Sequence, residues 1–261
     1  MNTEPDICKP VSLGRALRHG FRGAYDNLGY VVSVSLVSFL IASALFSGGA
    51  LLATITRPGM AGMALFLPAA FAWWMCAVGV FYYANKSVFN EHPVLADTWK
   101  GIGLLFWPGA ALFCVDLIAS VVLAGDTWLL LVVFASRKQF LYVALAILCG
   151  YLWMAWSMVA MYHLPLLAAQ LNMESGPRVR VILRKSFLLA MDNPGFTVGL
   201  FLGIIALAAL CVLSAFVGMA MVFIGAAAFL LTHALRELFV KYGIVGEEPE
   251  VVEEKPWRLP E

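Results

Sequence analysis

The chain is expected to be all-α: a polytopic membrane protein of six transmembrane helices, arranged as three pseudo-repeated hairpins each preceded by a cytoplasmic interfacial helix. Three observations carry this. Of 261 residues 62% are apolar and 13% charged, against roughly a quarter charged in a soluble domain. The apolar residues are gathered into runs of 20 or more, so a bilayer is the expected solvent for most of the chain. Finally, Leu17 to Gly29 reads LRHGFRGAYDNLG and Leu183 to Gly195 reads LRKSFLLAMDNPG, sharing Leu, Arg, Phe, Asp, Asn and Gly at the same offsets, which is an internal repeat. Thr98 to Gly109 (TWKGIGLLFWPG) is a weaker third copy before another apolar run.

Residues 1 to 11 are a polar lead with two prolines. Glu4, Asp6, Lys9 and three arginines within residues 1 to 27, with no apolar core among them, argue against a cleavable signal peptide. Ser12 is the expected N-cap of a helix in which Leu13, Leu17, Phe21 and Ala24 or Tyr25 share one face and Arg15, Arg18 and Arg22 another. Such a helix lies in the membrane interface, apolar side to acyl chains and arginines to anionic headgroups. The competing reading packs it on the rest of the protein.

Residues 1 to 243 form one transmembrane domain, with spans expected near 30–54, 62–84, 105–124, 141–168, 196–217 and 220–240. Each is long enough for a hydrocarbon core of about 30 Å at about 1.5 Å per residue. The expected breaks are Arg57-Pro58-Gly59, Asn85 to Lys100, Gly125-Asp126 with Arg137-Lys138, Gln170 to Lys185, and a tight turn near Gly218. The stretch 127 to 135 is too short to span; it either extends a neighbouring helix or lies along the interface. Residues 244 to 261 are acidic, proline-bearing and aperiodic, as in a disordered tail.

Orientation follows from counting. With the N-terminus cytoplasmic, fourteen Lys and Arg fall inside and three (Arg57, Arg137, Lys138) outside, so the positive-inside rule places both termini in the cytoplasm. Gly29, Gly109 and Gly195 are expected corners, where the chain turns from the membrane plane to the normal and needs unusual dihedrals or close approach. Asp26-Asn27 and Asp192-Asn193 are placed to cap the helices that follow.

Asp116 is the one acidic residue deep in a span, and a carboxylate there is costly enough to raise a functional reading by default. It serves either as a proton carrier or ion ligand, or as a hydrogen-bonded helix tie. His163, His233 and Arg236 are the candidate partners. Ser157, Tyr162, Trp153 and Trp156 add polar tips to the fourth span, and Pro165 either kinks it or marks its end. Gly199 and Gly203 form a G-x-x-x-G that favours close helix packing. Arg15, Arg18, Arg22, Arg184 and Lys185 are candidate contacts for lipid headgroups.

The five cysteines occur singly, without metal or redox spacing. The chain carries no G-x-x-x-x-G-K-[ST], H-E-x-x-H or G-x-S-x-G. No catalytic residue, metal or cofactor is therefore expected. A net charge of +1 gives no bulk argument for nucleic acid. The expected partners are membrane lipids, with other membrane subunits or a second copy of the chain as alternatives.

The segments Tyr162-His163-Leu164-Pro165-Leu166-Leu167 and Leu183 to Ala190, with the last hairpin, resemble the YesL-like family of bacterial integral membrane proteins of unknown function. They also resemble the six-span group that includes the membrane domain found beside glycerophosphodiester phosphodiesterases. The resemblance covers the C-terminal half best. It implies a fold and the bacterial inner membrane, with no catalytic residues, and a role accessory to sugar uptake or membrane homeostasis. The expected function is a non-enzymatic scaffold or accessory subunit; the alternatives are a small transporter or channel using Asp116, or an anionic-lipid-binding protein.

Overall fold

The computed structural model describes residues 11–55, 60–89, 92–172, 176–214 and 217–245. Arg57-Pro58-Gly59, Cys8 and the tail beyond Val245 lie outside the described residues. The chain runs α1 (Leu13–Asp26), α2 (Leu28–Ile55), α3 (Met60–Val88), α4 (Leu95–Leu104), α5 (Phe106–Arg137), α6 (Phe140–Ala160) and α7 (His163–Ala169). A 3₁₀ turn (Gln170–Asn172), α8 (Val179–Asp192), α9 (Pro194–Leu213), a π turn (Met219–Phe223) and α10 (Ile224–Lys241) complete it. Among the described residues, six segments are long and apolar enough to cross a membrane: Leu28–Gly48, Phe66–Val88, Phe106–Arg137, Phe140–Ala169, Pro194–Leu213 and Met219–Lys241. The chain is therefore a multi-pass membrane protein.

The third segment differs from expectation. Gly125-Asp126 does not break it; α5 runs on through residues 127–135 to Arg137 and ends where Lys138 adopts φ 53°. One Gly and one Asp cost too little to stop a helix flanked by leucine and valine on both sides. At about 1.5 Å per residue α5 is about 48 Å long, against a hydrocarbon core of about 30 Å.

The fourth segment is interrupted. Proline cannot donate to the carbonyl four residues back, and its ring clashes with that carbonyl; for Pro165 that residue is Met161. The helix accordingly stops at Ala160, turns through Met161-Tyr162, where the Tyr162 amide donates to Val159 O (3.1 Å), and restarts at His163 with Leu166 N donating to Tyr162 O (3.1 Å).

Three short helices, α1, α4 and α8, each pass into a long apolar helix across a single junction residue: Asn27, Leu105 and Asn193. The ladder continues through all three. Each junction amide donates four residues back, to Gly23, Gly101 and Leu189 at 3.0–3.2 Å, and each junction carbonyl accepts from Val31, Gly109 and Thr197 at 2.8–2.9 Å. The corners are thus bends in a nearly continuous helix. This corrects the expectation for Gly29 and Gly195: neither has positive φ, and a Cβ on either would meet nothing. Gly109, four residues past its bend, also lacks positive φ, but a Cβ there would stand 3.3 Å from Val78 Cγ2, a close approach. The capping expectation is also reversed. Asn27 and Asn193 donate their side-chain amides backward, to Gly23 O (2.9 Å) and Leu189 O (3.4 Å), closing the helix before them.

The core lies at the end of the bundle that carries Arg15 and Lys241. α10 is its axis, with Ala228, Phe229, Ala234, Leu235 and Leu238 all fully buried, and it packs on α1, α2, α3 and α7. α1 lies on this core: a Cβ on Gly20 would stand 2.8 Å from Leu230 Cα, and one on Gly23 would meet His233. The G-x-x-x-G of α9 receives α1 as well. Leu13 lies over Gly199 and Leu17 over Gly203. Of the apolar face expected to enter lipid, Leu13, Leu17 and Ala24 are therefore packed on protein, while Phe21 and Tyr25 stay exposed.

Candidate functional site

Asp116 and His163 meet. Asp116 stands ten residues into α5, about 15 Å along its axis, and is 8% exposed; His163, first residue of α7, is fully buried. Their Oδ2 and Nδ1 atoms are 3.0 Å apart. The helix interruption positions the histidine, because the chain ahead of Pro165 turns through Met161-Tyr162 before His163 opens the new helix. The turn is itself held, since Tyr162, fully buried, bonds Thr197 of α9 through its hydroxyl (3.0 Å). The α5 side is held by α3: Trp74 donates its indole N–H to Gly109 O (3.0 Å), and Phe113 packs edge-on against Phe71.

Trp156, two turns before His163 on α6, has its ring 5.8 Å from the imidazole at 69°. Asp116 Oδ1, His163 Nε2 and Trp156 Nε1 are buried atoms without a hydrogen-bond partner. An ionised Asp116 only accepts, so Nδ1 then carries the imidazole proton and Nε2 of the neutral ring presents a lone pair. Adding one proton at Nε2 gives either an imidazolium beside the carboxylate or, after transfer across the 3.0 Å bond, a carboxylic acid beside the other tautomer.

The other two candidate partners lie elsewhere. His233 faces α1, with Gly23 against its ring and His19 at 6.2 Å between centroids; Arg236 is half-buried on the same helix. α5 packs on α3, α4, α6, α7 and α8. Of the basic candidates, Arg18, Arg22 and Arg184 are exposed, Lys185 is half-buried, and Arg15 turns towards Glu237 of α10 (3.8 Å).

Two polar clusters at the basic end escaped sequence reasoning. Asp97, in the first turn of α4, accepts from the Val94 amide (3.0 Å), Lys86 and Lys100 (both 3.4 Å). The amide first, then the two ammonium groups, hold its carboxyl below the usual range. Next to it, Thr98 bonds Tyr30 (2.9 Å), whose ring stacks on Tyr83. At the α8–α9 bend, Asp192 accepts from Tyr242 and from Lys241 (3.4 Å), while Asn193 donates to Tyr242 (2.9 Å) and accepts from Lys241 (2.6 Å). The tyrosine hydroxyl and then the lysine hold Asp192 below the usual range. The signal was an acidic residue at a helix terminus, but nothing in the local sequence named the distant partner.

A groove of about 430 Å³ opens between α2 and α3, lined by Phe39, Phe46, Phe66, Trp73 and Met219 among small residues. Its walls are apolar and do not include Asp116. No protein-family model, curated protein or solved structure matches the chain.

Proposed function

We propose that the protein is a non-enzymatic scaffold or accessory subunit of the bacterial inner membrane, built of three helix–bend–span units with both termini in the cytoplasm. The observation that supports it is the α5–α6 hairpin. Beyond Asp116 no residue of α5 is buried, and Ala146 is the only buried residue of α6, so a long apolar hairpin is free for other membrane helices along most of its length. The three like bends support the repeat, the fourteen-to-three charge asymmetry supports the orientation, and the resemblance to the YesL-like family supports the compartment. A photo-reactive residue at Val121, Leu129 or Leu148, each about half or more exposed, is expected to cross-link to another membrane protein in native membranes. Cross-links to lipid alone at all three positions would count against the scaffold.

A second reading is favoured by the three unpartnered atoms around Asp116, which give a buried proton-binding pair at an interrupted helix. In a small transporter or channel, Asp116→Asn would abolish substrate or proton flux in reconstituted vesicles. Equal flux in wild type and variant would remove this reading.

A further inference from the structure

The three short helices share an outward face as well as a bend. Six residues before each junction stands a large exposed aromatic: Phe21 (50%), Trp99 (64%) and Phe187 (54%). A basic side chain accompanies each one within a turn. These are Arg18 and Arg22 on α1, Lys100 on α4, 65% exposed although 3.4 Å from Asp97, and Arg184 on α8. The opposite faces are spoken for, Ala16, Gly20 and Ala24 in α1 matching Ile182, Ser186 and Ala190 in α8 as buried positions at the same offset. What faces outward is therefore a mixed aromatic and basic stripe, the reverse of a simple amphipathic helix.

We propose that these stripes form a collar that binds anionic phospholipids, with Phe21, Trp99 and Phe187 at the headgroup–acyl boundary and Arg18, Arg22, Lys100 and Arg184 on lipid phosphates. The position and the charge of the stripes select this occupant. Each of the three aromatics stands seven residues, less than two turns, before the first residue of a membrane span (Leu28, Phe106, Pro194), which is the depth at which aromatic rings partition. The formal charge of the stripe is positive at all three helices, and such charge beside a membrane selects anionic headgroups. On α8 the stripe is graded: Arg180 and Arg184 come first, then Phe187, Leu188 and Met191, all exposed, as in a helix that descends obliquely from the headgroups into the acyl layer.

The collar rests on the three-unit reading, and the test separates the two. The full chain is released from nanodiscs holding equal phosphatidylglycerol and phosphatidylcholine, and retained lipids are counted by native mass spectrometry. Wild type retains phosphatidylglycerol preferentially. The variants R18Q/R22Q, K100Q and R184Q each lower that preference, by roughly fivefold for each charge removed, while F21S/W99S/F187S loses both lipids alike. No preference in wild type, or an unchanged preference in R18Q/R22Q/R184Q, overturns the inference whatever the three-unit reading. A loss confined to one helix overturns the equivalence of the units and reduces the collar to a single site.

Discussion

The sixth span and the third are built from similar residues and treated oppositely. In the most apolar stretch of Met219–Lys241, 67% of residues are buried, and in that of Phe106–Arg137 none are. The third is also the more hydropathic, 2.2 against 1.6. Burial here follows small residues and polar ties instead of apolarity. Lipid solvates leucine as well as protein does, so helices associate through close packing and hydrogen bonds. α10 has Gly225 against Val31, where a Cβ would stand 2.9 Å from Val31 Cα, and its Gly225 amide donates to Ser35 (3.2 Å). α5 has one such region, its first three turns, and after Asp116 none of its residues is buried.

The largest loss of stability is expected at the one deep polar tie of α5, Asp116 with His163. His163→Ala leaves Asp116 buried without its partner, and removing one member of a buried pair costs about 3–5 kcal/mol. The thermal midpoint in detergent should fall accordingly, and D116L/H163L should recover much of the loss. A sharper version truncates the same residue in both regions. Leu235→Ala, at a fully buried position, should cost about 3 kcal/mol, whereas Leu129→Ala, at 54% exposure, should change stability by less than about 0.5 kcal/mol. Equal losses, measured by chemical denaturation in the same micelle, would mean that the outer hairpin is packed after all.

Much of this was legible in the sequence because the relevant signals are local. Run length indicates six apolar spans, although the third runs on to Arg137 where 124 was expected; Pro165 places the interruption, and Asp116 is conspicuous in an apolar run, with His163 among its three candidate partners. What was not legible depends on which surface meets which. The face of α1 that reads as lipid-directed carries Leu13 and Leu17, and only the tertiary contact with Gly199 and Gly203 shows that glycines, lacking side chains, had made room for them. Glycine suits a corner that needs unusual dihedrals or close approach; a kinked ladder needs no unusual dihedral, and asparagine supplies the extra donor at two of the three bends. Gly125-Asp126 looked like a turn because its composition is one, and the hydrogen-bonded helix absorbs both residues without a break.

The π turn at Met219–Phe223 has a consequence for the numbering of faces along the sixth span. A π turn holds one residue more than the α-helix it interrupts, so side chains on its two sides are out of phase by about 100°. Met219, the first residue of the π turn, lines the groove beside Phe39 and Phe66, while Phe229 and Leu230, beyond the turn, face α1. A single helix thereby presents one apolar stripe to the groove and a second, differently aimed, to the core. Deleting one residue between Met219 and Phe223 would merge the two stripes, leaving every residue chemically intact and the helix facing the wrong neighbours.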